Sequence, residues 1–130
     1  MAGPKLDGAG TEKMKTLDEA LIQLHRIHGL VETYALAIKR AQPPQTYLMP
    51  LRRALPTLAS LLKGQFGMIS DQAMALNMGV SRGSNEQVRV RTLREGIGSL
   101  RQAIDVAIVR VKENHAEEKE EKSTRGAAAD

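Results

Sequence analysis

Apolar residues recur at helical spacing along almost the whole chain. Met14, Leu17, Leu21, Leu24, His28, Val31, Ala35 and Ile38 step by threes and fours, which predicts one long helix with a heptad seam. Thr11 is its expected N-cap, with Glu12 favourable in the first turn. Pro43-Pro44 bounds it on the other side. Ala20, Ile27, Tyr34 and Ala41 form a second stripe beside the seam. So wide an apolar face suits a bundle better than a two-stranded coiled coil. A second seam runs through Leu48, Leu51, Leu55, Leu58 and Leu62. Pro50 fits a first helical turn, where a missing N–H costs little. Pro56 calls for a kink, or for a helix start nearer Leu55.

Gly64 and Gly67 mark a break around Phe66. Ser70 is the expected N-cap of a shorter helix reaching about Met78, where Gly79 supplies the stop. One long bent helix from Thr46 to Met78 is the alternative. The last helix opens on Ser84 and Gln87, which match a capping box. Val90, Leu93, Ile97, Leu100, Ile104, Ala107 and Val111 then form its seam. Gly96 and Gly98 lower its intrinsic helicity and, with Ser99, are expected to admit a neighbouring helix closely. The expected fold is all-α: an antiparallel up-down bundle of three long helices, the middle one broken to give four. Residues 1–10 are expected to be a flexible N-terminus, 11–115 the helical bundle domain, and 116–130 a charged disordered tail.

Composition narrows the function classes. Aromatic residues are limited to Tyr34, Tyr47 and Phe66, so the core must be aliphatic, as packed helices allow. The absence of cysteine excludes disulfides and thiolate metal sites. Met1 to Gly10 has no apolar stretch of a signal peptide. No segment approaches the roughly 18 apolar residues of a membrane span. A cytoplasmic protein with no membrane partner and no cofactor is the expectation.

Charge is unevenly distributed. Between Lys39 and Arg94 stand nine basic residues against two acidic ones, Asp71 and Glu86, although the whole chain is only +4. Arg91, Arg94 and Arg101 lie off the last seam on neighbouring turns of one helix face. Arg52 and Arg53 flank Leu51. Arg82 and Arg89 stand at the turn into the last helix. These seven arginines are the expected phosphate contacts of an RNA or DNA partner. With so few aromatics, base stacking gives way to backbone and shape recognition. Reversing the charges of Arg91 and Arg94 together is expected to weaken binding without unfolding the protein. The plainer alternative is a solvated helix surface, with Lys39 and Arg40 complementing the helix dipole.

Other chemistry is thinly represented. His25, His28 and Glu32 are spaced to share one helix side, but no matching ligand pair occurs on another helix, so a packed or hydrogen-bonded histidine is the plainer reading. His25-Arg26-Ile27-His28-Gly29 is similar to the H-x-x-K-G stretch of histidine phosphotransfer domains, with His28 at the lysine position. Ser81-Arg82-Gly83-Ser84 could seat a phosphate at a helix N-terminus but lacks P-loop spacing. Met68, Met74 and Met78 suit either a partner surface or core gaps. No hydrolase motif is present, and a non-enzymatic protein is expected. An oligomeric interaction or scaffold module, its arginines meeting acidic protein surfaces, is the alternative of a different class.

Two stretches carry a family resemblance. Tyr47-Leu48 with Leu51-Arg52-Arg53-Ala54, and Ser81-Arg82-Gly83-Ser84-Asn85-Glu86 leading to Gly98-Ser99-Leu100-Arg101, resemble the helical-bundle proteins encoded in ribosomal-RNA intervening sequences. Those share a Tyr-x-Leu, an L-R-R-A, a G-R-G-S turn and a G-S-L. Related to them are the basic accessory variability proteins of diversity-generating retroelements. Relative to that pattern, Gly67 to Val80 looks like an insertion, and the family's N-I-A-E-G stretch is represented loosely by Leu61-Leu62-Lys63-Gly64. The resemblance implies a four-helix bundle that assembles as a homo-oligomer. It also implies that nucleic acid and a reverse transcriptase, or another ribonucleoprotein subunit, bind through basic surfaces. Arg52, Arg53, Arg82 and Arg101 fall on the matching positions.

Overall fold

The computed structural model describes residues 7–82 and 85–115. Four helices follow one another: α1 (Gly8–Lys39), α2 (Gln45–Leu62), α3 (Gly67–Arg82) and α4 (Glu86–Asn114). Each packs on its neighbours in the cycle α1–α2–α3–α4–α1. Among the described residues the diagonal pairs α1/α3 and α2/α4 have no close backbone approach. The result is an antiparallel four-helix bundle with short connections. The break expected around Phe66 is real, so the single bent middle helix is excluded.

The core is almost entirely aliphatic. Leu48, Leu51, Leu55, Leu58 and Leu62 of α2 are all buried, as their spacing implies. So are Val90, Leu93, Ile97, Leu100, Ile104 and Val111 of α4. On α1 the buried row is Leu17, Ala20, Leu24, Ile27, Val31 and Tyr34, which interleaves the two stripes read from the sequence. His28, placed on the seam by its spacing, is exposed, and Ala41 lies outside the helix. The core line keeps the seven-residue repeat but takes the other phase: Ala20, Ile27 and Tyr34, not Met14, Leu21 and His28, are the buried partners of Leu17, Leu24 and Val31.

Several local expectations are corrected. The N-cap of α1 is Asp7, not Thr11: the Asp7 carboxylate accepts from the Gly10 amide at 2.6 Å. Residues 8–10 therefore belong to the bundle, while the rest of the expected flexible N-terminus, and the tail 116–130, lie outside the described residues. Helix α2 starts at Gln45 and runs through both Pro50 and Pro56, so a start nearer Leu55 is excluded. Ser70 does not cap α3; it lies inside the first turn, buried, and donates to the Ala59 carbonyl at 2.7 Å. That bond ties α3 to α2 one turn above their connection. Helix α3 continues past Met78 and Gly79 to Arg82. The cap of α4 is Asn85, whose side chain accepts from the amides of Gln87 and Val88; Gly83 and Ser84 lie outside the described residues. Of the two glycines expected to admit a neighbour, only Gly96 does so. A Cβ there would overlap the Leu76 side chain of α3, whereas one on Gly98 would meet open space.

The helices differ in length, and this shapes the molecule. Thr16 of α1 donates to the Gln65 side chain in the α2–α3 connection at 2.7 Å. The first two turns of α1 therefore project past that connection, paired with the end of α4. A clasp closes this overhang: the Asp7 amide donates to the His115 carbonyl at 2.9 Å, and His115 Nε2 lies 3.1 Å from Lys13 Nζ.

The α1–α2 connection stores a small strain. Ala41 has φ 54°, and the Gln42 amide donates to Ala37 O while the Ala41 amide donates to Ile38 O. This is a Schellman ending with alanine where glycine is favoured. Ala41→Gly should raise stability by about 1 kcal/mol, the relief of a left-handed alanine less the extra freedom gained by the unfolded chain. Urea unfolding midpoints of the two proteins check this.

Candidate nucleic-acid interface

The antiparallel order gathers basic residues at one end of the bundle. Lys39 and Arg40 close α1, Arg82 closes α3, and Arg91 lies in the second turn of α4. Arg52 and Arg53 sit on the second and third turns of α2. By helical rise these side chains start within about 12 Å of that end. Arg52, Arg53, Arg82 and Arg91 are exposed, and none has a carboxylate at ion-pair distance among the described residues. They do not form one helix face. Arg52 and Arg53 belong to α2, diagonally opposite the α4 that carries Arg91, Arg94 and Arg101. The expected basic face is instead a basic end that wraps the bundle, with Arg101 displaced further down α4.

Arg89 is not part of that surface. It is only 8% exposed. Its Nε donates to the Val80 carbonyl of α3 at 2.9 Å. Its Nη1 lies 2.9 Å from the Glu86 carboxylate and 3.3 Å from the Tyr34 hydroxyl. The fully buried Tyr34 in turn donates to Glu86. The guanidinium thus links α1, α3 and α4 inside the protein, and the expectation that Arg89 contacts phosphate is withdrawn on that ground. Burial satisfies it because a guanidinium with several fixed donors can meet a carbonyl, a carboxylate and a hydroxyl together.

Arg94 and Arg101 are exposed but engaged. Arg94 grips Glu32 of α1 with two parallel bonds, Nε to Oε2 at 3.0 Å and Nη2 to Oε1 at 2.8 Å. That guanidinium holds the Glu32 carboxyl below its usual range, against a smaller effect of desolvation, and His28 adds to the lowering. Arg101 Nε lies 3.4 Å from Asp105 Oδ1 on its own helix. His25 and His28 are both exposed and line the same α1/α4 hollow as Arg94 and Arg101. No group of three or more metal-ligating side chains is arranged to hold an ion among the described residues. No described helix is long and apolar enough to cross a membrane.

A second surface feature escaped the sequence. Beneath the α2–α3 connection, the overhang of α1 and α4 leaves an apolar ledge of about 640 Å³, with Phe66, Ile69, Ala103 and Val111 among its lining. Met68 beside it is 87% exposed, and Val106 is also exposed. Met74 and Met78 are exposed as well, so none of the three methionines serves as core filler. Unequal helix lengths produce the ledge, and no single residue announces it.

The arginines should separate cleanly by stability. Arg89→Ala leaves a buried hydroxyl, a carbonyl and a carboxylate short of their donor, and should destabilise by about 2–4 kcal/mol. Arg91→Ala should leave the unfolding midpoint nearly unchanged. Chemical denaturation followed by circular dichroism decides; equal effects would contradict the buried network.

Comparison with protein-family models, with curated proteins and with solved structures finds no match to this chain.

Proposed function

We propose that the protein is a non-enzymatic, cytoplasmic nucleic-acid-binding accessory protein of a ribonucleoprotein, contacting phosphates through the basic end of its bundle. The observation that carries this reading is the convergence of Arg52, Arg53, Arg82 and Arg91, exposed and without carboxylate partners among the described residues, beside Lys39 and Arg40. Four cations presented by three helices around one end favour a polyanion over a point ligand. All three aromatics are at least half-buried, which favours phosphate contact over base stacking. The resemblance to the intervening-sequence and retroelement accessory proteins adds a candidate protein partner, a reverse transcriptase or another ribonucleoprotein subunit.

Fluorescence anisotropy with a labelled RNA hairpin and a labelled duplex DNA, at two salt concentrations, tests the reading. Binding should be steeply salt-dependent. Arg52→Glu with Arg53→Glu, and separately Arg82→Glu with Arg91→Glu, should each weaken binding about tenfold or more and flatten the salt slope. Salt-insensitive affinity, or unchanged affinity in folded variants, would remove the proposal.

The apolar ledge favours a second reading, a self-associating scaffold. The α1/α4 overhang is a two-helix section with one open apolar side, and a second copy's overhang would complete a four-helix layer there. Light scattering across a concentration series should then show an oligomer that Val106→Glu dissociates. A monomer at every concentration eliminates self-association.

A further inference from the structure

A groove follows the α1/α4 seam from the basic end downwards. It comprises two hollows of about 630 and 620 Å³. Lys39 lines the upper one, and His25, His28 and Arg101 line the lower one; Glu32 and Arg94 border both. The Glu32–Arg94 pair therefore lies across the groove as a bar dividing it. Apart from that one carboxylate, every ionisable side chain lining the two hollows is a base.

Two details single this groove out from an ordinary helix seam. The first is Gly98, in its wall. Gly96 is explained by packing, because a Cβ there would strike Leu76; Gly98 has no such reason, since a Cβ would meet nothing within 4 Å. A glycine inside a helix costs about 1 kcal/mol relative to alanine. Here it keeps the α4 backbone open to close approach from outside. The second is the form of the Glu32–Arg94 pair. Two parallel N–H···O bonds at 2.8 and 3.0 Å are the geometry in which a guanidinium also takes a phosphate. Both partners are substantially exposed, 52% for Arg94 and 43% for Glu32, so an incoming anion can reach the guanidinium.

We propose that this groove seats the nucleic-acid backbone, and that Glu32 is a built-in stand-in for phosphate which the ligand displaces from Arg94. The displaced position places a phosphate between Arg94, His28 and Arg101, with the sugar–phosphate chain passing over Gly98 and on towards Lys39. Glu32 then acts as a selectivity element. An isolated small anion gains too little to open the pair, whereas a polyanion already held at the basic end supplies its next phosphate at high local concentration. This inference rests on the nucleic-acid reading above.

The test uses the full chain, with the same labelled RNA hairpin and duplex DNA. Glu32→Gln removes the competing charge and keeps the size, and should tighten binding several-fold. Gly98→Leu fills the groove while improving helix propensity, so it should fold at least as stably and yet bind about tenfold more weakly. Imidazole resonances of His25 and His28 should shift on titration, with His115, at the opposite end, unmoved. If the wild-type protein binds neither nucleic acid, the functional reading falls and the groove with it. If it binds but neither variant changes affinity and the two imidazoles stay still, the groove is overturned and the basic end alone remains. Weakened binding in Gly98→Leu accompanied by lost stability would be resolved by Glu32→Gln, whose gain in affinity no loss of folding can imitate.

Discussion

The upper half of the bundle depends on one buried cation. Arg89 reaches the Val80 carbonyl near the end of α3, the Tyr34 hydroxyl of α1 and the Glu86 carboxylate in its own first turn. It therefore ties α3 and α1 to the first turn of α4 at one level of the bundle. An aliphatic side chain could fill the same volume but could not satisfy the Val80 carbonyl and the buried Tyr34 hydroxyl, nor pair with the partly exposed Glu86 carboxylate. Such networks fix a unique arrangement when every member is satisfied and cost heavily when one is removed. At the basic end, the exposed Arg82 and Arg91 thus flank Arg89, the one buried arginine among the described residues.

The second constraint is length. Helices α1 and α4 are nearly twice as long as α2 and α3, so the molecule has a four-helix section and a two-helix section. The basic residues collect in the first, around the α1–α2 and α3–α4 connections. The apolar ledge belongs to the second, beneath the α2–α3 connection. Charge and exposed apolar surface are thus separated along the bundle axis by the same feature that determines its shape. A surface suited to polyanions and one suited to protein contact can coexist without competing for side chains.

Much of the fold was legible because apolar periodicity is a direct signal of which face is buried. The leucines of α2 and the seam of α4 are core residues, and the Gly64–Gly67 break separates two helices. In α1 the pattern admitted two phases, and spacing alone could not say that His28 faces outward while Ile27 and Tyr34 face inward. Caps were harder. Asp7 stands four positions from Thr11 and Asn85 one from Ser84, all of similar capping chemistry, and the winner depends on where tertiary packing starts the helix. The candidate site was legible in composition but not in arrangement. Seven arginines stood out, yet their charge says nothing about burial. Arg89 lies inside, Arg94 is paired across helices, and the α2 pair is diagonal to the α4 set. Each outcome is set by residues distant in sequence.

The poverty of aromatics links fold to function more tightly than composition alone implies. Tyr34 is consumed by the buried network, and Tyr47 and Phe66 pack against the core. No fully exposed ring remains to stack on an unpaired base. What the surface presents is guanidinium, ammonium and imidazole around helices whose backbone is accessible at Gly98. Recognition built from such groups follows the spacing and shape of phosphates, and it discriminates poorly among bases. Among the described residues, the one carboxylate lining the α1/α4 groove sits on the guanidinium best shaped for phosphate, so on the proposed reading specificity comes from competition between an internal and an external anion. On that reading, the surface would distinguish a continuous polyanion from scattered anions by phosphate spacing alone, without reading any sequence.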